Sequence, residues 1–338
     1  MNELAGKGVF ICGHPKSGTS LLMTLLDSHP QLLVYPEESA YFRRFCRVTT
    51  GLTIEEKIQQ ADHHLLHMFE WDAADPPPSQ AGFPDRDYTA FSYGAVKKAF
   101  RTWMEKLGFE ERALLPAALF AYGEVSGQLT DNIIRWVEKT PYNERYSYRI
   151  FTLWPDARCI HVIRDPRDNY TSYRRKHPDW TPNLFAYSWR GSTVLAERNQ
   201  ARFGKERYLI LRFEDLLSDP ENVLLQIREF LEIEDHEILR QPTRAGRQWG
   251  GNSMFGDKFS QVSQTPMGRW KDSLDIRSLE KIEAALNSLM TRWGYIPESK
   301  PGIYKNLSWI GYMAVRKLTA RRTFSRKFEQ IKLDSEDD

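Results

Sequence analysis

GVFICGHPKSGTSLLMTLLDSH runs from residue 8 to residue 29. Val9-Phe10-Ile11-Cys12 is a short β-forming run bounded by Gly8 and Gly13, the pattern of a buried strand. A loop of Pro15, Lys16, Ser17 and Gly18 follows, and Leu21, Leu22, Leu25 and Leu26 then recur at helical spacing. A helix beginning between Gly18 and Ser20 turns its unpaired N–H groups and positive dipole end into the loop, where Lys16 adds a full charge. The whole makes an anion cradle.

Gly13 and Gly18 have the spacing of the nucleotide-binding loop G-x-x-x-x-G-K-[ST], and Thr19 and Ser20 supply hydroxyls, but the lysine lies inside the loop at Lys16. A lysine on the crown faces the bridging or terminal oxygens of a 5′-linked anhydride. Two alternatives stay open at this point: an ordinary tight strand-to-helix turn, and a P-loop kinase using ATP and magnesium. The kinase reading asks for a lysine directly before Thr19, where Gly18 stands.

Outward from the loop, strands and helices alternate. Leu32 to Val34 reads as a strand delivering Glu37-Glu38 beside the loop, and Trp136 to Thr140 as a strand ending in Lys139 and stopped by Pro141. Arg158 to Arg164 and Tyr208 to Phe213 read as two more strands. Helices are expected over 53–68, 92–107, 111–121, 127–136, 183–202, 220–231 and 275–293, one before Pro155, and one starting at Pro166. The fold class is therefore α/β: a P-loop-like central parallel sheet flanked by helices on both faces. One domain over 1–300 is expected, with a separate tail over 301–338.

Composition bounds the function. A net charge of +2 implies no global field for a polyanion, and the basic residues cluster only in the tail, so nucleic acid is not expected as a partner. Cys12, Cys46 and Cys159 form no readable disulfide framework, and the amino terminus has too short an apolar run for a signal-peptide core, so the chain reads as cytoplasmic. No stretch approaches the roughly 20 apolar residues that span a bilayer. The tail carries Trp309 to Val315 followed by Arg316, Lys317, Arg321, Arg322, Arg326 and Lys327. That pattern suits either peripheral contact with an anionic membrane or a helix packed on the body. His63 and His67 stand one helical turn apart with no further ligand cluster, so they read as surface or packing histidines and no metal is expected.

A second motif lies at Arg164 to Ser172. Arg164 ends a strand, and Ser172 comes eight residues later, about two turns into the helix started by Pro166. A cation and a hydroxyl there make a second anion site in the same sheet, and one ligand with two phosphate-like ends explains both.

With the Pro15-Lys16-Ser17-Gly18-Thr19 loop and the Arg164 and Ser172 pair in this order, the chain resembles the 3′-phosphoadenosine-5′-phosphosulfate (PAPS)-dependent sulfotransferases. LRFEDLLSDP at 211–220 and GRWKDSL at 268–274 add to the resemblance, which is greatest for the branch holding tyrosylprotein sulfotransferases and bacterial homologues. It implies that the loop, with Ser20, holds the 5′-phosphosulfate and that Arg164 and Ser172 hold the 3′-phosphate. Lys176 stands where the tyrosylprotein enzymes carry a second arginine, and Phe213 replaces a tyrosine. The family's catalytic glutamate matches Glu38 better than Glu37, and its catalytic lysine matches Lys139. A basic residue that contacts the donor matches Arg269, and a late serine matches Ser263 or Ser260.

The implied reaction is in-line sulfuryl transfer from PAPS to an acceptor hydroxyl on a small molecule, glycan or lipid. Glu38 is the general base, and Lys16 and Lys139 are the electrostatic stabilisers. No metal is needed by such a cradle. A catalytically silent nucleotide-binding protein is the alternative outside enzymology. The aromatic, proline-rich segment 71–93 and Trp249 are candidates for acceptor recognition. Oligomeric state is not readable.

Overall fold

The computed structural model of the chain describes residues 1–70, 86–258, 261–299 and 309–314. β1 (Gly8–Cys12) leads through the loop into α1 (Thr19–Leu26), and β2 (Leu32–Val34) follows. α2 (Ile54–His64), α3 (Tyr93–Leu107) and α4 (Glu111–Ser126) precede β3 (Arg135–Lys139). Next come α5 (Ser147–Leu153), β4 (Arg158–Ile163), α6 (Pro166–Lys176), α7 (Pro182–Phe203) and β5 (Tyr208–Arg212). The chain then forms α8 (Phe213–Ser218), α9 (Pro220–Leu231), a hairpin of β6 (Thr243–Arg244) and β7 (Arg247–Gln248), α10 (Trp270–Ser273) and α11 (Ile276–Arg292).

The central sheet has five strands in the order β2-β3-β1-β4-β5, all parallel. Side chains alternate between two buried faces, as a sheet covered on both sides requires. Phe10, Leu33, Trp136 and Cys159 point into the core under α3 and α4. Val9, Ile11, Val34, Val137 and Ile160 point toward α1 and α9. A third cluster, with Tyr170, Trp189 and Leu286, locks α6, α7 and α11 together.

Register decides what reaches the functional edge. β1 pairs Ile11 with Lys139 on one side and Cys12 with His161 on the other. The carboxyl ends of β3, β1 and β4 therefore deliver Lys139, Gly13 and Arg164 to one rim. β2 and β3 lie to one side of β1 and β4 and β5 to the other, so this rim is the crevice where parallel α/β sheets bind ligands.

One expectation is corrected. Residues 127–136 are not a helix: α4 runs on to Ser126 and stops at Gly127, whose φ of 74° is left-handed and whose N–H returns to Glu124 O. Leu129 N–H bonds back to Gly123 O, a turn follows, and the chain enters β3 at Arg135. The left-handed glycine ends α4, and the turn after it leads into β3 where a separate helix was expected. Residues 71–85 of the aromatic segment and most of the tail lie outside the described residues, so the lid and membrane expectations do too. No helix among the described residues is long and apolar enough to cross a membrane.

Candidate active site

The loop closes by backbone geometry. Gly13 has φ +141°, and an added Cβ would sit 2.6 Å from Val162 O. Gly18 has φ +101°, and a Cβ there would meet the Phe213 ring at 2.1 Å, so only glycine fits between ring and loop. Lys16 itself is left-handed at φ 67°. Gly18 caps α1 without any side-chain hydrogen bond, which leaves the helix's first N–H groups open toward the rim.

Above the loop lies a cavity of about 460 Å³, the size of a small-molecule site. Lys16, Gly18, Thr19 and Ser20 line one part of it. Arg164, Ser172, Lys176, Ser263 and Arg269 line another, and Glu38 borders the same space. The structure thus gathers nearly every residue that the sequence singles out. Ser17 does not line it: its hydroxyl is buried beneath the loop with no hydrogen-bond partner, and its N–H bonds to His14 O at 3.1 Å. Lys139 is buried and does not line the cavity, but it reaches the rim through Glu38. Ser260 lies outside the described residues.

The paired glutamates separate into different environments. Glu38 Oε1 accepts from Lys139 Nζ at 2.9 Å, and Oε2 from Arg43 at 3.1 Å. Burial works to raise the Glu38 pKa, but the Lys139 charge, its hydrogen bond and Arg43 outweigh it, leaving the pKa below the ordinary value. Glu37 is committed elsewhere: its Oε1 takes the Tyr88 hydroxyl at 3.0 Å and Arg244 and Arg86 at 3.2 Å each. A buried pillar stands behind the pair. Glu138 accepts from Ser39 at 2.8 Å, from Asn143 at 2.6 Å and from Thr140, and Thr140 accepts Ala40 N–H at 3.1 Å, tying the end of β3 to the Glu38 segment.

Arg164 shapes the opposite end. One guanidinium nitrogen donates to Lys16 O at 3.0 Å and to Ser172 Oγ at 3.2 Å, and the other to Pro266 O at 2.9 Å. Burial disfavours its charge, with Asp168, Glu214 and Asp165 opposing that effect, and its Nε has no partner. Asp168 fixes the far wall by accepting the N–H groups of Gly268 at 2.7 Å and Trp270 at 2.9 Å, which sets Arg269 between them. Arg269 pairs with Asp257 at 2.7 Å, and Ser263 shares a 2.8 Å hydrogen bond with Thr265.

Lys16 carries no ion pair among the described residues. Burial, with the charges of Lys176 and Lys139, pushes its pKa down to about 8, against the pull of Glu38. An uncapped helix start, an unpaired ammonium and a desolvated guanidinium in one cavity suit a ligand with two anionic ends. Tyr142, Tyr173, Trp249 and Phe255 give the remaining wall an aromatic character. Among the described residues no three His, Cys, Asp or Glu side chains are grouped to hold a metal ion.

Sequence reasoning had assigned no role at the site to Arg43, Asp168 or Glu138. Arg43 lies on a π-helical turn (Tyr41–Phe45) whose geometry no periodicity announces, and the two carboxylates act on partners remote in the chain.

A family model described as "Sulfotransferase family" matches residues 8–237, more than half of the chain. The chain is 20% identical over 341 residues to a protein-tyrosine sulfotransferase of Drosophila melanogaster, covering 96% of this chain and 58% of that protein. It is 21% identical over 309 residues to protein-tyrosine sulfotransferase A of Caenorhabditis elegans, covering 88% and 69%. An uncharacterised protein of Aquifex aeolicus is 26% identical over 250 residues, 69% of this chain and 27% of that protein. The chain thus spans only part of the length of these relatives. Among solved structures, the sulfotransferase domain from the curacin biosynthetic pathway aligns with a TM-score of 0.55 at 19% identity, covering 86% of this chain and 99% of that one. The sulfotransferase domain from the Synechococcus PCC 7002 olefin synthase gives 0.50 at 20% identity, covering 86% and 95%.

Proposed function

Because the chain belongs to the sulfotransferase family, we propose that it moves a sulfuryl group from PAPS to an acceptor hydroxyl on a small molecule, glycan or lipid. The observation that carries this reading is the single cavity shared by the Lys16 loop and the Arg164 and Ser172 pair. Two anion-binding ends in one space suit a donor phosphorylated at both 3′ and 5′ positions. The kinase reading is not favoured, given the family match and the glycine directly before Thr19.

The donor supplies a sulfuryl group carried on a phosphate oxygen. Lys16 and the open N–H groups of α1 bind the 5′ end and counter charge on the sulfuryl oxygens and the departing oxygen. One such contact contributes about 3–4 kcal/mol in the transition state. Arg164, Ser172, Lys176, Ser263 and Arg269 bind the nucleoside and its 3′-phosphate. Glu38 takes the acceptor hydroxyl proton as the new S–O bond forms, and Lys139 holds that carboxylate in place and ionised. The reading puts the protein in a reducing compartment, supported by three buried free cysteines.

Calorimetry with adenosine 3′,5′-bisphosphate, in parallel with ATP and with EDTA present, tests the donor. Tight bisphosphate binding beside weak ATP binding is expected. Binding of magnesium-ATP alone would overturn the reading. Radiolabelled transfer from PAPS to phenols, sugars and lipid alcohols then identifies the acceptor.

A further inference from the structure

Two consecutive carbonyls on the crown of the loop are held from outside it. Pro15 O accepts from Asn169 Nδ2 at 2.9 Å and faces His14 Nδ1 at 3.0 Å. A carbonyl only accepts, so Nδ1 carries the proton, and the His14 ring is wedged against Tyr142, Tyr173 and Phe185. The next carbonyl, Lys16 O, takes the Arg164 guanidinium at 3.0 Å. Between them lies the left-handed Lys16, a conformation that a non-glycine residue holds only where its surroundings over-determine it.

The outside donors come from the other end of the site. Asn169 is fully buried on α6, three residues before Ser172, and that helix also carries Lys176. Arg164 follows the last residue of β4, between that strand and α6, and hydrogen-bonds Ser172 itself. We infer that Asn169 is a positioning residue that couples the two ends of the cavity, so that an anion seated at Arg164 and Ser172 sets how Lys16 is presented at the other end. The inference rests on the bisphosphate reading above. A ligand filling both ends gains from Lys16 held in place; one lacking the 3′-phosphate meets a less ordered loop.

The test uses adenosine 3′,5′-bisphosphate and adenosine 5′-monophosphate as calorimetric probes. The wild type, Lys16→Ala, Asn169→Leu and the double variant are compared, with Asn169→Ala as a second substitution and thermal unfolding checking that each is folded. Leucine keeps the volume and adds no charge while removing the donor. The ratio of the two dissociation constants reports the worth of the 3′-phosphate. Lys16→Ala is expected to reduce that ratio at least about fivefold in the wild-type background and to leave it unchanged once Asn169 is replaced. An equal reduction in both backgrounds would mean that the ends communicate through space or through the Arg164 bond to Lys16 O, and it overturns the role of Asn169. An unchanged ratio in Lys16→Ala alone overturns it as well, without any change at position 169. Failure of the wild type to bind the bisphosphate would instead remove the donor assignment.

Discussion

Lys139 Nζ lies 2.9 Å from Glu38 Oε1, and among the described residues no other side chain hydrogen-bonds that ammonium. The sheet makes the pairing: Lys139 ends β3, and Glu38 arrives beside it from the segment after β2. An ionised carboxylate at the edge of the cavity is competent to receive a proton, and the buried ammonium behind it keeps it ionised. Glu38→Gln is expected to lower sulfuryl transfer by about 10²–10⁴-fold while bisphosphate affinity stays within experimental scatter. Radiolabelled transfer and calorimetry measured together check this, and a near-normal rate would assign the proton to another group.

Arg43 acts on the carboxylate proposed as the base. Its guanidinium lies 3.1 Å from Glu38 Oε2 and is one of the charges holding the carboxyl below its ordinary pKa. A base with a depressed pKa stays ionised until the pH falls through that value, so the acid limb of the rate profile lies below the ordinary glutamate range. Arg43→Leu removes one stabilising charge and moves the limb to higher pH. A limb that stays in place would show that Lys139 and Arg86, and not Arg43, hold the Glu38 pKa down.

Lys16 predicts an alkaline effect of opposite origin. Its folded pKa of about 8 lies below the ordinary 10.5, so folding disfavours the ammonium. That cost is present below about pH 8 and is relieved as pH rises through the window up to the unfolded value. Ligand binding runs the other way, because an anion favours the charged form. Bisphosphate affinity should therefore fall as pH rises through about 8, and binding above that pH should take up a proton. Calorimetry at about pH 8.5 in buffers of different ionisation enthalpy reads the uptake directly. Lys16→Met should abolish it, and persistence of the uptake would place the titrating group elsewhere.

The parts of the fold readable in the sequence were those with local signals. Val9 to Cys12, with glycine on either side, and the leucines of α1 announced strand, loop and helix, and Arg164-Asp165-Pro166 announced both a strand end and a capped helix start. The error at 127–136 has a local cause too, since the left-handed Gly127 stops α4 and the chain turns from there into β3. Only the family resemblance ranked Glu38 over Glu37, because the residues themselves carry no signal that separates them. Adjacent in sequence, they differ only through Tyr88, Arg86 and Arg244 around one and Lys139 and Arg43 around the other, partners that tertiary folding supplies. Ser17 reads as a ligand by motif, yet the turn that makes the cradle also buries its hydroxyl.

Gly18→Ala tests whether the cradle's shape, apart from its charges, is needed. The position has φ +101°, where a side chain is strained, and an alanine Cβ would stand 2.1 Å from the Phe213 ring. Left-handed strain alone costs about 1–3 kcal/mol, and relief of the clash requires the ring or the loop to move. Phe213 follows β5 directly, and the Arg164 guanidinium lies 4.9 Å from its centroid, so a displaced ring disturbs both ends of the cavity. Gly18→Ala should therefore lower the unfolding temperature and weaken bisphosphate binding together. Adding Phe213→Leu frees space and should restore part of the stability without restoring the strained backbone. If Gly18→Ala binds the bisphosphate as tightly as the wild type, the loop tolerates a side chain at its narrowest point, and the uncapped start of α1 is not what holds the anion.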